Sequence, residues 1–471
     1  MKRAFWQRVL LLMLWILFAA YPAYSSTYYV ATDGNDSNTG SIDHPFKTIY
    51  PKAVGVVVAG DTIYVRGGTY TYSGSSTAIT LPSKSGSSPI NRCSLIGYNG
   101  ERPLLDFSSM TGTSADGLKI NGSYWYLKGI DFKGAPHNGI KISGGSFNIV
   151  EFCSSYENRN TGVQLGNGAA NNQIINCDSY YNFDSPDGEN ADGFSPKLDV
   201  GTGNYFYGCR SWQNSDDAYD GYLRGADDVN TTYENCWAFK AGYLKSGAAS
   251  SGNGNGFKMG GSDDKNLKHN ATLKNCLSFS NRVKGFDQNN NKGSMTLYNC
   301  TSVSNGTYNY SIPSALASGK TATVTNCVYA GLGEIDLNDF VNQTTNSWMP
   351  PFVVTYEDFV SISPSAAYGA RNADGSLPDI NFMHLALGSD LIDGGTDVEL
   401  PYHGSAPDLG AFEFYYVCTS PITSDLDGNC QVDFFDYALL ADAWAGNLSD
   451  IAQFVTDWLT CNRDPDSECW Q

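Results

Sequence analysis

Apolar and polar positions alternate in short runs along most of this chain. Residues 124–127, 148–152, 173–176, 271–274 and 295–298 each carry β-branched or aromatic side chains and are flanked by Gly and Asn. That pattern predicts short, half-buried strands. No long helical period runs between residues 100 and 350.

Two further registers order these strands. In one, a small residue or Asn precedes a cysteine: Asn176-Cys177, Gly208-Cys209, Asn235-Cys236, Asn275-Cys276, Asn299-Cys300 and Asn326-Cys327. Five residues after Cys153, Cys177, Cys209, Cys276 and Cys300 stands an asparagine, whereas Cys236 and Cys327 are followed there by Ala241 and Leu332. In the other, glycine precedes an apolar residue at Gly117, Gly139, Gly162, Gly193, Gly221, Gly256 and Gly285. Both recur every 22 to 40 residues, elastic in length and constant in order. A stack of coils with loops of varied length on one side gives that result. The expectation is an all-β chain: a right-handed parallel β-helix, with a small α-helical domain at its C-terminal end. A leucine-rich repeat lacks its Leu-x-x-Leu-x-Leu signature here. Asn suits a repeated corner because it tolerates left-handed backbone and its amide can bond the next coil.

Cysteine content changes the picture only at the tail. Seven of the twelve cysteines, Cys153 to Cys327, recur once per coil, which favours an inward stack of small apolar groups over disulfides. Cys418, Cys430, Cys461 and Cys469 lie in a short tail, where disulfides are expected.

At the other end, Lys2, Arg3 and Arg8 precede an apolar run from Val9 to Ala20 and a small-x-small site at Ala23-Tyr24-Ser25. This predicts a secretory signal over residues 1–25; the run is short of the roughly 18 residues that span a bilayer. The expected layout is then 26–416 for the β-helix and 417–471 for a separate module. Within the β-helix, 26–110 form an N-terminal cap and first coils, 111–330 the regular coils, and 331–416 the last coils and a closing segment. The mature protein is expected to be secreted, monomeric and without a membrane span.

A formal charge of −19 argues against nucleic acid as a partner. It equally repels an anionic glycan, unless a bound cation and local basic groups reverse the sign at one place.

Three clusters supply the candidate chemistry: Asn-Ala-Asp-Gly-Phe at 190–194, Asn-Ser-Asp-Asp-Ala-Tyr-Asp-Gly-Tyr at 214–222 and Gly-Asn-Gly-Phe-Lys-Met-Gly at 254–260. Asp192 and Asp220 each precede a register glycine, so stacking sets them about 4.8 Å apart. Asp216 and Asp217 can fold back to the same point. Four carboxylates suit a hard cation, Ca²⁺, which takes oxygen ligands; zinc would want His or Cys. A solvated acidic edge is the plainer alternative. Lys258, two residues beyond Gly256, projects from the same face and could act as a base if its pKa is lowered. Lys119 and Lys141 share that register and show that lysine stands there without catalysis.

The order and context of these clusters resemble family 9 of the polysaccharide lyases, the β-helix pectate lyases. The resemblance covers most of residues 26–415, including Lys284-Gly-Phe-Asp-Gln-Asn-Asn-Asn. It implies that Asp192, Asp216, Asp217 and Asp220 bind one calcium and that Lys258 is the base. It further implies β-elimination on polygalacturonate, giving 4,5-unsaturated products. Arg224, Arg282, Lys284 and Lys265 are candidates to hold further sugar carboxylates, the arginines for their bidentate geometry. His269 reads as structural. A β-helix glycoside hydrolase and a non-catalytic glycan-binding scaffold remain the alternatives.

In the tail, Asp425, Asp427, Asn429, Asp433 and Asp436 occupy loop positions 1, 3, 5, 9 and 12 of an EF-hand, with the Gln431 carbonyl at position 7. Two amphipathic helices are expected after it. The segment resembles a dockerin-like module, which implies attachment to a cohesin-like or cell-surface partner, although a second full calcium loop is missing.

Overall fold

The computed structural model describes residues 25–83, 86–415, 422–426, 430–443 and 448–461. The leader expected over 1–25 lies outside them but for Ser25, as do Asp427, Asn429, Cys418 and Cys469. The predicted short strands wind into three parallel sheets. Among the described residues one sheet has 12 strands, from Thr27–Val30 to Asn342–Thr344. The other two have 10 each, from Thr69–Gly74 to Val328–Ala330 and from Ile79–Leu81 to Glu334–Leu337. Each coil visits the three in turn, which makes a right-handed parallel β-helix. Helical turns at Ile49–Ala53 and Val54–Val56 bury Ile49, Ala53 and Val54 against the first coils.

Alternation along the third sheet sends one file of residues inward: Leu118, Ile140, Val163, Phe194, Tyr219, Phe257, Phe286 and Tyr310. The aromatic members stack at ring-centroid spacings of 4.5–5.3 Å. Tyr219 and Tyr310 direct their hydroxyls to the Cys209 and Cys300 carbonyls at 2.9 and 2.8 Å, so neither phenol is left unpaired in the core.

The cysteine register is the corner between the first and second sheets, and its seven thiols are buried and free. The two asparagine registers do different work. Asn176, Asn235, Asn275, Asn299 and Asn326, each just before a cysteine, take φ of 49–55° and turn the corner. Those five residues after a cysteine form an amide ladder instead: Asn158 donates to Asn182 at 2.9 Å, Asn182 to Asn214 at 2.8 Å and Asn281 to Asn305 at 2.9 Å.

One register expectation is corrected. Phe194 aligns with Tyr219, and Tyr219 with Phe257, so the position of the register glycine in that coil belongs to Ala218, and Gly221 lies outside the register. The reason is steric. A Cβ on Gly193 would come within 1.9 Å of Ser211 Oγ and 2.9 Å of Asn214 Nδ2, and Gly139, Gly162, Gly256 and Gly285 each face an equivalent Ser–Asn pair of their own. In the coil facing Ala218, the serine position is Ala238 and the asparagine position is Ala241. Loss of both polar groups makes room for a Cβ, which also accounts for the gap in the asparagine ladder.

Residues 352–415 cross the outer face of the second sheet. There Phe359, Phe382, Leu385 and Leu391 pack on Trp212, Phe239 and Phe279 in a second core. Asp178 fastens this segment: Arg210 reaches it at 2.9 and 2.8 Å and Arg371 at 3.0 and 2.8 Å. Arg210 also donates to the Ala367 and Gly369 carbonyls. Burial opposes the charge of Asp178, but the two guanidiniums outweigh it and hold the carboxyl below its usual range. Asp178→Ala leaves two buried guanidiniums without their anion and is expected to destabilise the fold by about 3–5 kcal/mol, read as a lowered urea midpoint. An unchanged midpoint would show that the clamp contributes nothing.

Candidate active site

Outward-facing positions of the third sheet carry the candidate chemistry on three successive strands, β1 (Phe194–Pro196), β2 (Tyr219–Asp220) and β3 (Phe257–Lys258). Strand register sets Asp220 beside Lys258. It also stacks Asp192 on Asp217, rather than on Asp220 as the glycine count implied. Asp192, Asp217 and Asp220 nevertheless converge, with one carboxylate oxygen from each within 4.8 Å of the others and all three side chains buried. Asp216 stands beside them, its Oδ1 accepting from the Asn253 backbone and side-chain nitrogens at 2.5 and 3.0 Å.

Two lysines enter the cluster. Lys258 Nζ is 3.0 Å from Asp217 Oδ2 and 3.3 Å from Asp220 Oδ1. Lys197, which the motifs did not single out, lies 2.5 Å from Asp192 Oδ2 and 3.3 Å from Asp220 Oδ2. Strand alternation could have found it. Ser195 on β1 and Lys197 directly after it are outward positions, as Asp220 and Tyr222 are in the next coil.

The charges are unbalanced. Burial, with Asp220 and Asp217 adding to it against Lys197, pushes Asp192 up to about 7. Burial and then the neighbouring Asp217 and Asp192 push Asp216 up to about 9. Burial opposes the Lys258 charge, yet Asp217 and Asp220 prevail and hold the ammonium firmly protonated. One buried oxygen beside the cluster lacks a partner: Asn255 Oδ1, next to Asp217 in register, while Asp217 Oδ2 meets the Lys258 ammonium. Excess anionic charge with an unsatisfied oxygen beside it fits a hard divalent cation.

Asp216 and Asp220 of the cluster line a cleft of about 350 Å³, which Lys141, Lys197, Arg224 and Lys258 also line. Four basic groups therefore gather in this cleft of an acidic chain. Of the candidate carboxylate holders, Arg224 lines the cleft and pairs with exposed Asp263 at 2.9 Å. Arg282 faces the Gly252 and Asn253 carbonyls, so it supports the loop that holds Asp216. Lys284 binds Asp287 at 2.8 Å, and Lys265 is exposed outside the cleft lining. His137, Gln164 and Asn253 line the cleft without any sequence signal. His269 is buried, bonded to Gly221 O at 2.6 Å and Thr231 Oγ1 at 2.7 Å, a structural place as expected.

In the tail, Asp436 is fully buried and accepts from the Leu426 and Asp433 backbone nitrogens at 2.6 and 2.8 Å. Asp425 accepts from Cys430 N at 2.9 Å. Helices Phe434–Ala443 and Leu448–Asp457 follow, and Cys430 and Cys461 are disulfide-bonded. Among the described residues no helix is long and apolar enough to cross a membrane.

Comparison with known proteins agrees with this geometry. Pectate lyase L of Dickeya chrysanthemi is 39% identical over 398 residues, 82% of this chain and 90% of that protein. The crystal structure of pectate lyase Pel9A superposes with a TM-score of 0.75 at 37% identity, covering 83% of this chain and 96% of the other. A rhamnogalacturonan lyase superposes with a TM-score of 0.69 at 27% identity, covering 77% and 97%. The family model for the Pel9A-like right-handed β-helix region matches residues 28–326, and with these relatives it establishes that the chain belongs to that family, family 9 of the polysaccharide lyases.

Proposed function

We propose that the protein is a secreted, calcium-dependent pectate lyase that cleaves α-1,4-galacturonan by β-elimination. The observation that carries this reading is a lysine buried against converging carboxylates in a cleft that three further basic side chains line. The names of its relatives, pectate lyases at 37–39% identity over most of the chain, support the substrate.

In this reading Asp192, Asp216, Asp217 and Asp220 hold the calcium. Bound there, the ion would supply a Lewis acid for the uronate carboxylate and the positive charge that frees Lys258 of its proton. Lys258, as the neutral amine, takes the C5 proton. The electron pair left at C5 delocalises into the adjacent carboxylate, the C4–O4 bond breaks, and O4 departs and is protonated. The product ends in a 4,5-unsaturated sugar. Arg224 and Lys141 are placed to hold carboxylates of flanking sugars.

On polygalacturonate, elimination yields ultraviolet absorbance and new reducing ends in proportion. Reducing ends without absorbance would assign a hydrolase, and neither signal a glycan-binding protein. The hydrolase reading lacks support, because the carboxylates here are tied to two ammoniums and do not stand apart as an acid and a base.

We further read residues 1–25 as the secretory signal, 26–416 as the lyase domain and 417–471 as a dockerin-like calcium module. Asp425, Asp427, Asn429, the Gln431 carbonyl, Asp433 and Asp436 would be its ligands. Support for that module comes from the loop drawn around Asp436 and the two helices after it.

A further inference from the structure

We propose that Lys197 is the fixed counter-charge of the cation site, a positioning residue that holds Asp192 and Asp220 in place and offsets the surplus of negative charge. The inference rests on the calcium reading above. Lys197 is as well enclosed as Lys258, with side-chain exposures of 11% and 8%, and the two lysines share Asp220, one at each carboxylate oxygen. Four carboxylates face two ammoniums in this cluster, and one dication completes the balance of charge only if both ammoniums are counted. Lys197 follows β1 directly and is bonded to Asp192 at 2.5 Å, so it supplies one of those balancing charges from the coil that carries Asp192. Without it, an incoming uronate carboxylate meets a more negative wall.

A counter-charge and a structural pillar differ in sign towards calcium. Removing a positive charge next to a cation site raises its cation affinity, whereas removing a pillar lets Asp192 move and lowers it. Calorimetric titration with Ca²⁺ at pH 9, where proton competition is least, is therefore expected to show Lys197→Met binding about tenfold or more tightly than wild type. The same variant should melt earlier in chelator and show a raised KM on polygalacturonate. Calcium affinity that is unchanged or lower overturns the proposal. Lys197→Arg keeps the charge and should retain kcat within about tenfold; loss of kcat there would make Lys197 the base instead. Should Lys197→Met fail to fold, the double variant Asp192→Asn with Lys197→Met removes one charge of each sign and should regain the wild-type melting temperature in chelator. A double variant that also fails to fold overturns the role. The tail loop contributes the same calcium uptake to every variant; wild type with no uptake beyond that one ion sinks the calcium reading of the cluster itself, whereas wild type that fills the cluster and a variant that fills it with equal affinity overturn this proposal alone.

Discussion

Lys258→Arg is expected to lower kcat on polygalacturonate by about 10²–10⁴-fold, the range for loss of a positioned proton acceptor. Arginine can preserve the ionic contacts to Asp217 and Asp220, at 3.0 and 3.3 Å in the wild type, but its guanidinium does not deprotonate in proteins. The variant therefore separates the base from the charge. Lys258→Met removes both, so it should lose kcat to a similar degree and additionally bind calcium more tightly. Initial rates of ultraviolet absorbance give kcat, and melting in chelator checks that each variant is folded. A folded Lys258→Arg protein that keeps a tenth of the wild-type kcat would remove Lys258 from the base role. The cleft would then offer Lys197 or Lys141 in its place.

Much of this was legible in the sequence because coil stacking translates order into position. The cysteine and asparagine registers carry the fold: one marks a corner, the other an amide ladder, and neither needs long-range information. What the registers could not supply was their own exception. Gly221 looked like the register glycine because an aromatic residue follows it, yet Ala218 holds that place. The tolerance for its Cβ comes from Ala238 and Ala241 in the next coil, a compensation visible only once the coils are stacked. The slip changed which aspartates are stacked without dispersing them, since neighbouring outward positions on adjacent strands lie within side-chain reach. Lys197 went unseen for another reason. Its motif context, Ser195-Pro196-Lys197, is unremarkable alone, and its importance comes from two carboxylates contributed by different coils. Arg282 shows the converse: a basic residue near the site in sequence, turned to the carbonyls of the loop beneath Asp216.

Chelation should bring activity to background and make stability depend on pH. In the calcium-free protein Asp192 is pushed up to about 7 and Asp216 to about 9, first by burial and then by neighbouring carboxylates. In the unfolded chain both return to about 3.9. Between these limits the folded state binds protons that the unfolded state releases, so unfolding free energy falls as pH rises. The contribution of these groups is fully present below about pH 4 and is lost through pH 7 to 9. Asp408 and Glu413 in the closing segment are likewise pushed up by burial, to about 7 and about 8, and they add the same slope whether or not calcium is present. The diagnostic quantity is thus the difference between melting temperatures with calcium and with chelator, which should widen from pH 5 to pH 9. Calcium displaces the protons on Asp192 and Asp216, so its binding should release protons near pH 7 and strengthen with pH. Calorimetry in buffers of different ionisation enthalpy measures that release directly. A gap in melting temperature that stays constant across this range, with no proton release, would place the calcium elsewhere than among these four aspartates.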